Sequence, residues 1–330
     1  MYSFSESWLF YHEDKPAGFG MRFCYLPQIF RMRCPPWSRD YFNDVAWISM
    51  SLSSLNSTRK VGYLRSFSTF RPNFSITMSK RGASSTTERN RKRRKVTPSL
   101  ESQDEVTCLV DNVAKELRKN ADHKRSQPMK KYMRDQFEFF GLSSPLRRSV
   151  CKEFLQQKLN SEDVRRFATL LWEKSEREFQ YFAVDYLAKN MDTSKEFEAN
   201  MSCVEGLITT KSWWDTVDLL ASKIIGQLVK QHRVLGKAVM EDWINHENMW
   251  LRRTALLHQL SFKNDTDEEM LFRFCSSRAH EEEFFIRKAI GWALRQHAYT
   301  SSANVKKYLL KHKKELSSLS FKEAAKHLNL

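Results

Sequence analysis

From about residue 104 the apolar residues of this chain return every three or four positions, and they do so almost to the C-terminus. Val106, Leu109, Val110, Val113 and Leu117 form one such stripe, the spacing that places side chains on a single face of an α-helix. Met129, Tyr132, Met133, Gln136 and Phe140 form the next, which predicts one helix stopped by Gly141. Ser144 followed by Pro145 reads as an N-cap with proline at the first helical position, opening a helix through Val150, Phe154 and Leu155. Further starts are predicted at Ser161, ahead of Val164, Phe167, Leu170 and Leu171, and at Ser175, where Glu178 completes a capping box. Phe197, Met201, Val204, Leu207 and Ile208 continue the series. Ser212 opens a helix holding Val217, Leu220, Ile224, Ile225 and Leu228, and the pattern predicts six more at 234–246, 249–261, 267–279, 283–300, 303–315 and 321–328.

Short helices joined by connections of a few residues cannot each bury an apolar face alone, so they must stack on their neighbours. Trp172, Trp214, Trp250 and Trp292 recur at separations of 36 to 42 residues, near the length of a two-helix HEAT-like repeat. The expected fold is therefore all-α, a HEAT-like helical-repeat solenoid with a concave face, over residues 104–330. Only 9 glycines and 8 prolines in 330 residues fit long helical content better than many strands.

Residues 1–103 show no sustained period and are expected to be a basic, largely disordered extension. The formal charge of +16 resides mostly there: residues 1–100 hold 17 Lys+Arg against 6 Asp+Glu, leaving 38 against 33 for the remainder. Such a charge favours polyanionic partners, but it does not by itself assign nucleic-acid binding to the helical part. The run Arg89 to Lys95 (RNRKRRK) suits nuclear import or phosphate contact. The basic, Ser-rich start equally suits organelle targeting, or lies upstream of initiation at Met78. The six cysteines show no CxxC pair and the nine histidines no ligand spacing, so neither a disulfide framework nor a metal site is expected. No stretch of about 18 apolar residues predicts a membrane span.

Three segments carry candidate chemistry: Lys211 to Asp218 (KSWWDTVD), Asn248 to Leu260 (NMWLRRTALLHQL) and Glu283 to Gln296 (EFFIRKAIGWALRQ). Trp214 and Asp218 are one helical turn apart and project from the same side. Asp215 falls where a first-turn carboxylate complements the helix dipole. Trp213 and Trp250 are expected to be core and repeat anchor, and on pattern alone Trp292, between Ile290 and Leu294, would be core as well.

In order and spacing these three segments, with MKKYMRDQFEFFGL and SPLRR between Met129 and Arg148, resemble the AlkD-like family of HEAT-repeat DNA alkylation repair glycosylases. The resemblance covers roughly residues 105–329. It implies removal of cationic N3- or N7-alkylated purines from duplex DNA, leaving an abasic site, with no metal or organic cofactor and with the lesion left in the duplex. It makes Trp214, Asp218 and Trp292 the cleft residues and Arg253 a neighbouring DNA contact. Arg295, Arg148 and Lys263 suit phosphates, and Tyr132 and Ser144, in the matching early segments, join them as DNA-contact candidates. The residue types fit that chemistry. An alkylated purine is already a good leaving group, so the difficulty is the oxocarbenium character of the sugar, which a carboxylate can stabilise while aligning water. Indole faces favour the cationic base at roughly 0.5 to 2 kcal/mol each. Two other readings compete, a noncatalytic DNA-structure binder and a protein-interaction scaffold. A monomer acting on double-stranded DNA, away from membranes and in the nucleus, is the expected form.

Overall fold

The computed structural model describes residues 100–330, with side chains from residue 105 onward. Fourteen α-helices fill this region, and among the described residues no element is a strand. They are α1 (Leu100–Lys119), α2 (His123–Tyr132), α3 (Ser144–Val150), α4 (Ser161–Glu173), α5 (Arg177–Asn190), α6 (Phe197–Thr209), α7 (Trp214–Leu219), α8 (Gly226–Gln231), α9 (Arg233–Trp243), α10 (Met249–Leu257), α11 (Glu268–Ser277), α12 (Phe284–Ala298), α13 (Ser302–Lys311) and α14 (Ser318–Ala324). The expectations for residues 1–99, including the basic run and Met78, lie outside the described residues.

Long-range hydrogen bonds reveal the repeat. Arg147 pairs with Asp185, Trp172 Nε1 donates to the Thr210 carbonyl and Arg177 pairs with Asp215, each across 38 residues. Arg253 reaches back to Asp218, Lys230 pairs with Asp265 and Lys288 pairs with Glu323, each across 35. A near-constant separation means that a position in one helix pair bonds its counterpart in the next, as in a stacked helical array. One continuous apolar core follows the stack from Val106 to Ala324, with Phe167, Phe179, Phe182 and Tyr186 at its most enclosed part.

Three local features depart from the apolar pattern. First, α2 ends at Tyr132 rather than at Phe140, and Arg134 and Asp135 take left-handed backbone angles immediately after it. The segment 138–142 is then held by tertiary bonds: the Glu138 carbonyl accepts from Arg177 N, the Phe140 carbonyl from Asp122 N, and Glu178 accepts the amides of Phe140, Gly141 and Leu142 at 2.8 to 3.1 Å. Gly141, at φ +93°, is required there, because a Cβ would lie 2.1 Å from the Asp122 carbonyl oxygen. Glu178 therefore serves this loop and not a capping box; the cap of α5 is Glu176.

Secondly, two caps lie one residue before the predicted serine, with a side-chain cap bond at the first of them only. Asn160 caps α4 through Asp163 N, and Ser143 precedes α3, which puts Pro145 at the second helical position. Thirdly, the single helix predicted behind Ser212 is interrupted. Leu220–Ile225 is wound as a π-helix between α7 and α8, beginning two residues after Asp218. Such widened turns recur at functional sites. Gly226 follows, pressed so close to α10 that a Cβ would sit 2.5 Å from the His258 carbonyl oxygen.

Candidate active site

The turn into α7 splits its two tryptophans. Trp213 is fully extended (φ −157°, ψ 156°) and Trp214 starts the helix, so the two indoles leave in different directions. Trp213 meets Phe285 of α12 at 5.2 Å and Trp250 of α10 at 6.0 Å between ring centroids, and Trp250 and Phe285 meet each other at 5.0 Å. Trp214 instead meets Tyr132 edge-on at 6.2 Å. All five rings are half-buried. Trp213 and Trp250, expected as core and repeat anchor, are members of this partly open aromatic group.

Asp218 lies one turn below Trp214. It was expected as a cleft residue facing inward; it is 5 % exposed and held bidentately, Arg253 Nε donating to Oδ1 at 2.8 Å and Nη2 to Oδ2 at 2.9 Å. Arg253 was expected to contact DNA. Its guanidinium is instead buried, with Nη1 donating to the Phe285 carbonyl. Burial pushes the Asp218 carboxyl above its ordinary range, and the Arg253 charge pulls against that shift. Arg253 thus joins α7, α10 and α12 at one point.

Asp215, three residues earlier, was expected to complement the first turn of the helix, and one of its oxygens does accept Thr216 N. Its main partners are elsewhere. It is fully buried against an equally buried Arg177, whose Nε and Nη2 donate to its two oxygens at 3.0 and 2.6 Å, and Tyr181 Oη donates at 2.7 Å. The Phe137 ring covers the Arg177 guanidinium at 3.7 Å. Neither Arg177 nor Tyr181 was foreseen. The available signal was an Arg-Glu pair opening the run Phe179 to Phe182, a place where charge survives only with partners.

The remaining candidates are spread over other elements. Trp292 is half-buried on α12, two turns beyond Phe285 and on the same face. Arg295, expected at a phosphate, pairs with Glu323 of α14. Arg148 is exposed in the last turn of α3, Ser144 is half-buried at its first residue, and Lys263 is exposed in the short turn after α10 with φ 53°. Among the described residues no group of His, Cys, Asp and Glu is arranged to hold a metal ion, and no helix is long and apolar enough to cross a membrane.

A stacked helical array in which the guanidinium partner of a buried carboxylate meets a half-buried aromatic group defines the class, a repeat-built protein with an aromatic, acid-bearing site. Residues 113–328 match the family described as DNA alkylation repair enzyme, and the chain belongs to that family. Among solved structures it is similar to a predicted DNA alkylation repair enzyme from Enterococcus faecalis, with 30% identity and a TM-score of 0.59, over 63% of this chain and 97% of that one. It is also similar to AlkD2 from Streptococcus mutans, at 16% identity and a TM-score of 0.47, over 69% of this chain and all of that one. The comparison with curated proteins returned no match.

Proposed function

We propose that the protein is a monofunctional DNA glycosylase that hydrolyses the N-glycosidic bond of cationic N3- or N7-alkylated purines in duplex DNA. The observation that carries this reading is Asp218, one helical turn from Trp214 and fixed by Arg253, whose guanidinium lies 5.8 Å from the Phe285 ring centroid in the Trp213, Trp250 and Phe285 group. A carboxylate has about four acceptor positions, and Arg253 fills two of them. The other two would accept a water aimed at the anomeric carbon and offset the positive charge that builds on the sugar. The leaving base is already cationic, so no general acid is needed. Trp214 and Trp292 would supply π-faces to that cation and to the deoxyribose. An open array of this kind suits a lesion held within the duplex better than one extruded into a deep pocket. Residues 89–95 would act as a nuclear import signal.

One observation favours a second reading, a DNA-structure binder without turnover: the Arg253 charge neutralises Asp218, the group expected to stabilise the sugar cation. Incubation of purified protein with methylated duplex decides between them. Release of free N7-methylguanine or N3-methyladenine, with strands that break on alkali treatment, is the expected result. DNA binding with every base retained would establish the second reading instead.

A further inference from the structure

Helix α12 carries a stripe of alternating chemistry. Phe285, Lys288, Trp292 and Arg295 stand at i, i+3, i+7 and i+10, the spacing of one helical face. The stripe starts at the Asp218 site, where the Phe285 carbonyl receives Arg253, and ends about 15 Å further along the helix axis at Arg295.

Its far end meets Glu323 of α14, and that meeting has unequal charge. Lys288 Nζ donates to Glu323 Oε2 at 2.6 Å, Lys326 Nζ to Oε1 at 2.9 Å, and Arg295 Nη1 to Oε1 as well. Three cations therefore surround one carboxylate, an excess of two positive charges. The carboxylate is hidden, with 6 % of its side chain exposed, while the side chains of Lys288 and Lys326 are 36 % and 51 % exposed. A link that served only to join α12 to α14 would need one cation. The helices are also locked in place here: a Cβ on Gly291 would lie 2.5 Å from Glu323 Cβ, so Glu323 is held at a fixed height over the stripe.

We propose that Glu323 gathers Lys288, Arg295 and Lys326 into a preformed seat for one backbone phosphate of the DNA, beside Trp292. The proposal rests on the DNA-repair reading above and adds to it the residues that would fix where the duplex lies relative to Asp218. The carboxylate holds the long side chains in a converged arrangement before DNA arrives, which removes part of the ordering entropy that flexible lysines otherwise lose on binding. The outward faces of the cations then meet a phosphate with net attraction.

The test is binding of the full chain to an undamaged duplex, followed by fluorescence anisotropy from about 50 to 200 mM salt. A Lys288→Ala/Lys326→Ala variant should bind about fivefold more weakly at the middle of that range, and its salt slope should flatten by about 1, the loss of one phosphate contact. Glu323→Gln makes the protein more positive, so a site that acted by charge alone would bind more tightly. A seat that depends on the carboxylate to gather its cations would bind more weakly. Tighter binding by Glu323→Gln, or an unchanged slope in the double lysine variant, overturns the proposal. Circular dichroism checks that Glu323→Gln is folded, and the exposed lysines keep the test decisive if it is not. Base release by the wild type is scored separately: its absence removes the glycosylase reading, whereas the slope still reports on the seat.

Discussion

Two aspartate-arginine pairs stand three residues apart on α7, and their surroundings differ in what they leave open. The Asp215 carboxylate accepts Arg177 Nε and Nη2, Tyr181 Oη and Thr216 N, which fills its four acceptor positions, and both members of the pair are fully buried. Arg177 is tied further to the Lys211 carbonyl and Thr216 Oγ1. Among the described residues the Asp218 side chain accepts only from Arg253, and that guanidinium lies 5.8 Å from the centroid of the half-buried Phe285 ring. The same two residue types thus do different work. A saturated pair fixes the junction of α5 and α7, and an unsaturated pair keeps acceptor capacity where a ligand could use it.

The largest effect separating the two is expected from Asp215→Ala. It leaves Arg177 charged and unpaired in a sealed site, at a cost of about 3 to 5 kcal/mol. That is a large share of the stability of a typical domain, so the melting temperature should fall sharply, and a variant as stable as the parent would show the pair to be dispensable. Asp218→Asn is expected to act on chemistry instead. Base release should drop about 100- to 1000-fold, because an amide keeps one acceptor oxygen for Arg253 but loses the charge facing the sugar. Duplex affinity should stay within about threefold, since no phosphate contact is removed. Equal loss of stability and of base release in the two variants would abolish the distinction between the pairs.

How far this was legible in the sequence follows from the range of the forces involved. The helices were readable because burial acts on every turn: Val106, Val110, Val113 and Leu117 keep a strict spacing and are all buried. The 133–143 segment was not, because its conformation is set by Glu178 some 37 residues away, against an apolar spacing that favours continued helix. Asp218 and Trp214 were identifiable as candidates from their i, i+4 relation and from the family resemblance. That Asp218 is paired, and that Arg253 is its partner rather than a phosphate ligand, depends on the stacking of one repeat on the next. Neither residue's local sequence records it. Asp215 shows the same limit from the other side, since its first-turn position was correct and its principal partner unforeseeable.

Acid should reach the Asp218 side of the comparison selectively. Arg253 and His258 share the α10 region, and His258 is buried with its Nδ1 at 2.7 Å from the Ala255 carbonyl, whereas no histidine is among the partners of Asp215 named above. Burial lowers the His258 pKa to about 4, against about 6.5 in the unfolded chain. The folded state therefore binds fewer protons than the unfolded state between those values, so this contribution is complete above about pH 6.5 and declines as pH falls toward 4. At pH 5 the loss should be about 2 kcal/mol relative to pH 8. Chemical denaturation at both pH values measures it. His258→Gln should remove most of the pH 5 to 8 difference, and a wild type equally stable at both would show that His258 does not titrate in this way.

The smallest effect concerns the rings over the open pair. Trp214 touches Tyr132 and stands on the same side of α7 as Asp218, whereas Trp213 is tied to Trp250 and Phe285. Replacing Trp214 with Ala removes one π-face, about 0.5 to 2 kcal/mol, and so should slow release of a cationic base about 2- to 30-fold at saturating enzyme. Because the ring would act on charge, the loss should shrink for a neutral leaving base of similar shape. Trp214→Phe keeps a ring of weaker quadrupole and should recover part of the rate. A loss of equal size for charged and neutral bases would assign Trp214 to packing against Tyr132, and the carboxylate alone would then carry the difference between the open pair and the sealed one.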